Sequence, residues 1–148
     1  MIQNMGREYD KLFDEQLFNQ YDKPPRRKLK EILGNFVSDN PNIYKQDLII
    51  NSKTCKYKFI EFQVCTQWTD KYPYKFLYIY ERKKKYGEDT LFITFNKKFT
   101  KVYLFDVNGI ENFRNLDKYP SVWVYTIPLY KAKYVKLLDL NKQIIKQL

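Results

Sequence analysis

The stretch Phe59-Ile60-Glu61-Phe62-Gln63-Val64, taken with Asp47-Leu48-Ile49-Ile50 upstream of it, decides the fold. Both are short apolar runs rich in β-branched and aromatic residues, the composition of strands. Side chains of an extended chain alternate faces, so Ile60, Phe62 and Val64 point one way and Glu61 and Gln63 the other. The polar connection Asn51-Ser52-Lys53-Thr54 is too short for a parallel crossover. The two strands, expected over residues 43–50 and 56–65, are therefore antiparallel neighbours. Paired in this way, Asp47 approaches Glu61, which puts two carboxylates and an amide on one surface. A hard divalent cation beside a phosphodiester needs oxygen donors in such a layout.

Working outward, Tyr9, Leu12, Phe13 and Leu17 recur at helical spacing, predicting a helix over residues 7–20 that Pro24-Pro25 ends. Pro25 can start a second helix running through Leu33, with Gly34 as its C-cap. Ser38 to Asn42 reads as a turn and residues 66–73 as a loop. Pro73 suits the first turn of a helix over residues 73–86, and Gly87 its stop. Strands follow over residues 90–95 and 100–105 around the turn Asn96-Lys97-Lys98, and Asp106, Asn108 and Gly109 mark another turn. A strand over residues 122–127 precedes Pro128, and residues 136–148 read as a terminal helix. The expected fold is α/β: a single domain over residues 1–148 with one mixed sheet flanked by helices, the first helix and the 73–86 helix packed on it.

The 148 residues carry a net charge of +10, are 44% hydrophobic and 18% aromatic, and have a pI near 9.4. Such a chain can build a core, and its charge favours polyanionic partners, nucleic acid before anionic membrane. Part of the charge is compositional. Lysine far outnumbers arginine, Asn, Ile and Tyr are abundant, and alanine occurs once, at Ala132, the profile of an A/T-rich coding sequence. There is no histidine, which excludes Ser-His-Asp and Cys-His nucleophiles, His-containing zinc sites and a histidine general base. Cys55 and Cys65 are the only cysteines, too few for a cysteine zinc site and expected as reduced thiols. No apolar run approaches bilayer length, and Met1-Ile2-Gln3-Asn4 lacks the regions of a secretory signal. The expected location is intracellular, cytoplasmic or nuclear, in a cell or as a virus-encoded protein.

A leading segment Gly6-Arg7-Glu8-Tyr9-Asp10, a strand opening on Asp47, and Glu61-Phe62-Gln63 fourteen residues later together resemble the PD-(D/E)XK nuclease superfamily, the fold of many restriction enzymes and Holliday-junction resolvases. The resemblance covers residues 6–105 in element order and rests on short motifs. It implies a restriction-endonuclease-like core and hydrolysis of DNA phosphodiester bonds with Mg²⁺ or Mn²⁺. The ion would be held by Asp47, Glu61 and the main-chain carbonyl of Phe62, with a further acid from the first helix, Asp10 ahead of Glu8. Two positions depart from the pattern. Gln46 stands where the family has proline, and Gln63 stands where it usually has the lysine that orients water and stabilises transition-state charge. Glutamine bonds a water but brings no charge. Lys75 is a candidate for a relocated ammonium, and Gln63→Lys is the substitution that would restore the motif.

Basic residues supply candidate phosphate contacts at Arg26 and Arg27, at Arg82, Lys83, Lys84 and Lys85, and at Lys97 and Lys98. The Arg82–Lys85 run equally suits the C-terminal dipole of the expected 73–86 helix. Tyrosines 72, 74, 78, 80 and 86 interleave with lysines, as base stacking beside phosphate contacts requires. DNA is the expected partner ahead of RNA, and a homodimer would allow both strands to be cut. Two other functions compete with the nuclease. One is a non-catalytic nucleic-acid-binding or virion packaging protein that keeps the fold. The other is a structural protein whose lysines are compositional. A GIY-YIG nuclease is excluded because Tyr78-Ile79-Tyr80 and Tyr86-Gly87 lie too close together.

Overall fold

The computed structural model describes residues 15–148. The chain is mixed α/β, with a mostly antiparallel six-stranded sheet, a second sheet of three strands and one long helix. The single sheet expected from the sequence is thus two.

A helical turn at Glu15–Leu17 passes through a π turn at Phe18–Asp22 into helix α1, Lys23–Leu33. Pro24 and Pro25 have no N–H for the carbonyls four residues back, and the chain widens here, Lys23 N–H reaching Phe18 O instead. The prolines then lie in the first turn of α1, where that donor is not needed. Pro25, Leu29 and Leu33 are buried at four-residue intervals, the spacing of one helix face. Gly34 ends α1 at φ +54°, a conformation open to glycine at little cost.

The large sheet runs β1 (Val37–Asp39), β2 (Leu48–Ile50), β3 (Phe59–Val64), β5 (Thr90–Phe95), β6 (Lys101–Phe105), β9 (Lys133–Lys136). β2 and β3 are antiparallel with Leu48 opposite Ile60, as the short connection requires. β3 and β5 are parallel, Glu61 facing Phe92 and Gln63 facing Thr94. Ile60, Phe62 and Val64 pack with Leu91, Ile93 and Phe95 beneath Leu29 and Leu33 of α1. Each large side chain buried on that face stabilises the fold by about 1.5–3 kcal/mol.

A parallel pair needs a long connection, and residues 65–89 provide it without the helix expected over 73–86. Residues Phe76–Tyr80 instead form strand β4, and Glu81–Tyr86 a 3₁₀ turn. The run Phe-Leu-Tyr-Ile-Tyr alternates faces, and it buries Leu77 and Ile79 with Phe92, Phe105 and Ile127. β-branched and aromatic residues at period two outweigh the helix-like punctuation of Pro73 and Gly87. β4 pairs with β8 (Trp123–Pro128), and β8 with β7 (Asn112–Asn115). The strand expected over 122–127 therefore exists but belongs to this second sheet. The chain ends in a 3₁₀ turn at Leu137–Asp139 and a short helix α2, Lys142–Lys146, in place of the longer terminal helix.

Cys55 and Cys65 are free and buried. Among the described residues no helix is long and apolar enough to cross a membrane.

Candidate functional site

β3 is a central strand, and the second sheet covers the face that Glu61 and Gln63 share. Neither side chain is on a wet surface; both are buried. Continuing the β2–β3 register by one residue brings Asp47 opposite Glu61. The Asp47 N–H donates to Glu61 Oε1 at 3.2 Å, and the Phe62 N–H donates to Asp47 Oδ2 at 3.0 Å. The two acids foreseen in the sequence are thus joined through the backbone at the head of β2.

The cation beside them is Lys83. Its ammonium lies 2.5 Å from Glu61 Oε2, and the two side chains are 2% and 3% exposed. Lys83 sits in the 3₁₀ turn that follows β4, so the crossover that returns the chain to β5 also delivers the ammonium to β3. Lys75, expected in the first turn of a helix, is exposed just before β4, and no helix carries it. Lys83 is correspondingly not a surface phosphate contact. Its sequence signal is ambiguous, one lysine among three in a row.

Arg26 closes the other side. From α1 it donates to Asp47 Oδ1 at 3.3 Å, to the Asp47 carbonyl at 3.0 Å, to Asp22 at 3.1 Å and to Asp39 at 3.2 Å. Its guanidinium also lies over the Phe62 ring, 5.3 Å from the centroid. Arg26, expected on phosphate, is thus committed to holding the loop before β2. Burial opposes its charge, but the carboxylates of Asp22 and Asp47 outweigh burial and raise its pKa.

Asp47 is pushed up to about 6, first by burial and then by the negative charge of Glu61, with Lys83 and Arg26 pulling it back. This is the pattern of two carboxylates sharing a desolvated site. Gln63 does not join them. Its carboxamide donates to Thr94 Oγ1 and to the Tyr78 carbonyl, each at 3.0 Å, and so ties β3 to both β5 and β4. Gln46, at the position preceding Asp47, is buried and donates to Thr90 Oγ1 at 3.1 Å.

Among the described residues, each of the four carboxylate oxygens of Asp47 and Glu61 accepts one donor, which leaves further lone pairs on each. Two carboxylates are the number that a hard cation of the Mg²⁺ type takes from a protein when water and phosphate complete its shell. Phe62 shows its N–H at the pair. Among the described residues no group of three or more His, Cys, Asp or Glu side chains converges. The acids expected to complete the set, Asp10 and Glu8, lie outside the described residues. Of the pair, Asp47 is the more open to solvent, with a tenth of its side chain accessible against 3% for Glu61.

The remaining basic candidates do not form one patch. Lys84 and Lys85 are exposed in the 3₁₀ turn before β5, whereas Lys97 and Lys98 are exposed in the turn after it. Roughly 17 Å of strand separates the two groups at about 3.3 Å per residue. Arg27 is exposed on α1, and the Arg82 guanidinium lies over the Tyr80 ring at 5.7 Å. No protein-family model, curated protein or solved structure matches the chain.

Proposed function

We propose that the protein is a metal-dependent nuclease of the PD-(D/E)XK kind, acting on DNA, with Asp47, Glu61 and Lys83 as its reactive group. The observation that carries this reading is the Lys83 ammonium on Glu61 beside Asp47. The motif lysine missing at position 63 has a spatial counterpart delivered from a different segment. The aspartate at the head of one strand and the glutamate on its antiparallel neighbour fit the same pattern.

Asp47 and Glu61 would hold the divalent ion, which when bound supplies acidity to water and neutralises phosphate charge. Lys83 pairs with Glu61 and places a fixed positive charge where phosphodiester attack builds negative charge, a contribution that grows in a site shielded from water. Arg26 fixes the Asp47 backbone and one of its carboxylate oxygens, so that the acid is held before substrate arrives. The net charge of +10 supplies affinity for phosphates that is independent of sequence.

A second reading, a non-catalytic nucleic-acid-binding or packaging protein, is favoured by one observation: all four oxygens of the acid pair already hold protein donors, and Glu61 is almost wholly buried. One experiment separates the two. Supercoiled plasmid is incubated with wild type, Asp47→Asn and Glu61→Gln across a Mn²⁺ and Mg²⁺ titration. Nicking by wild type that both substitutions abolish, with DNA retention on a filter preserved, supports the nuclease. DNA retention with no nicking at any metal concentration replaces it with the binding protein.

A further inference from the structure

The second sheet carries a row of aromatic rings that starts at the core, where Tyr125 packs against it, and runs out beyond it. Phe113 lies opposite Tyr125, and Trp123 precedes Tyr125 by two residues along β8, so the three side chains share one face. Ile79 and Ile127 on that same face are buried in the core between the sheets. Beyond them the face runs out into solvent, where Phe113 is 44% and Trp123 43% exposed. The Phe113 and Trp123 rings stack, 5.0 Å apart and 23° from parallel. Phe113 and Tyr125 are 4.6 Å apart at 38°. The Lys84 ammonium caps the row, 4.7 Å from the Tyr125 centroid.

A single exposed aromatic needs no explanation, but a contiguous stacked row does. Two observations identify its occupant. The row ends on an ammonium in a chain of charge +10, so a ligand with both flat apolar faces and negative charge is complementary to it. Lys84 also directly follows Lys83 in one 3₁₀ turn, and Lys83 holds Glu61. One short turn therefore joins the aromatic row to the acid pair.

We propose that the exposed end of this row, Phe113 and Trp123 backed by Tyr125, is a stacking platform for a base of single-stranded nucleic acid, with Lys84 on an adjoining phosphate. The proposal names the substrate class of the site described above and rests on that reading for its link to cleavage, though not for binding itself. Paired bases keep their faces inside the duplex, whereas an unpaired strand can lay a base on an exposed ring whatever its sequence. The substrate would thus be a single strand, or a duplex with an unpaired flap or end, led across the platform towards Asp47.

The test uses tryptophan emission in excess chelator, so that no cleavage occurs. Trp68 is 1% exposed, so Trp123 is the ring a ligand can reach. Oligothymidylate is titrated into wild type, Phe113→Ala and Lys84→Ala, with a blunt duplex of equal length as control and circular dichroism confirming each fold. Oligothymidylate is expected to quench the emission, the duplex to leave it nearly unchanged, and Phe113→Ala to bind about tenfold more weakly, the loss of one stacked base. Lys84→Ala weakens binding several-fold and makes it less salt-dependent. Absence of quenching, equal quenching by duplex, or unchanged affinity in both variants overturns the platform. So does a concentration-dependent dimer that hides Trp123 and is abolished in Phe113→Ala, which gives the face to a second copy of the chain. Quenching without metal-dependent cleavage removes the nuclease and leaves the platform; cleavage without quenching does the reverse.

Discussion

Lys83 and Glu61 face each other at 2.5 Å with 2% and 3% of their side chains in solvent, although one is on a turn after β4 and the other in the middle of β3. A charge pair so enclosed is expensive to make and more expensive to break. Removing one partner strands the other without water, at a cost of about 3–5 kcal/mol. Lys83→Met and Glu61→Gln are each expected to lower the urea midpoint sharply. Their combination should recover much of the loss, because it removes both charges together. Equilibrium unfolding of the three variants checks this. Additive losses would mean that the pair is not coupled as the geometry shows.

Asp47 gives a pH signature to the metal-free protein. Its pKa is raised in the folded state to about 6, above the ~3.9 of an unfolded chain. The folded state therefore holds the proton more tightly. Its stabilising effect is complete below pH ~4 and is lost as pH rises through about 6, by roughly 3 kcal/mol at about 1.36 per unit. Unfolding free energies of wild type and Asp47→Asn at pH 4.5 and 7.5 should differ in slope, wild type losing more stability on the rise. For the same reason divalent-ion affinity, read by calorimetry with Mn²⁺, should fall as pH drops below about 6, where a proton competes for the carboxylate.

Much of this site is legible in the sequence, and the reasons are local. Asp47 and Glu61 come together because a short polar link forces β2 and β3 to pair and the pleat puts alternate residues on one face. What the sequence hides depends on distant chain. Phe76–Tyr80 is a five-residue apolar run, too short for periodicity to separate strand from helix, and its pairing with β8 is not visible locally. Lys83 cannot be told from Arg82, Lys84 or Lys85, since its burial follows from the crossover between two parallel strands. β1, three residues long, is hidden in what reads as a turn. Glu61 and Gln63 read as residues of an open face because the second sheet, which covers them, has no sequence signal of its own.

Gln63→Lys, the change that motif reasoning favours, is expected to fail. Gln63 is 4% exposed and its carboxamide bridges Thr94 and the Tyr78 carbonyl. A lysine there would bury a second ammonium with no carboxylate assigned to it, while Lys83 already occupies the cation's place on Glu61. An unpaired buried charge is costly enough to neutralise itself or unfold its surroundings. Thermal unfolding should show a drop of several kcal/mol relative to wild type, and plasmid nicking no increase. Enhanced nicking by a stable Gln63→Lys protein would show that Lys83 does not fill the motif role.

The basic surface yields the last prediction. Lys84 and Lys85 are exposed, unlike Lys83, so reversing only these two tests phosphate binding without touching the buried pair. The double change Lys84→Glu with Lys85→Glu should weaken duplex DNA binding about equally on unrelated sequences, because bonds to phosphate carry no sequence information. It should also flatten the dependence of log affinity on log salt by about 0.9 for each phosphate no longer neutralised. Lys97→Glu with Lys98→Glu, at the far end of β5, probes a separate region. If DNA lies across the Asp47 side only, that second pair will leave the salt slope unchanged; if the duplex spans both ends of β5, the two pairs will reduce it additively. Fluorescence anisotropy over a salt series, read on labelled duplexes of two unrelated sequences, distinguishes the paths. A double Lys84 and Lys85 reversal that leaves affinity and slope unchanged would detach this turn from DNA altogether, leaving Lys83 with a purely structural reason to lie beside Glu61.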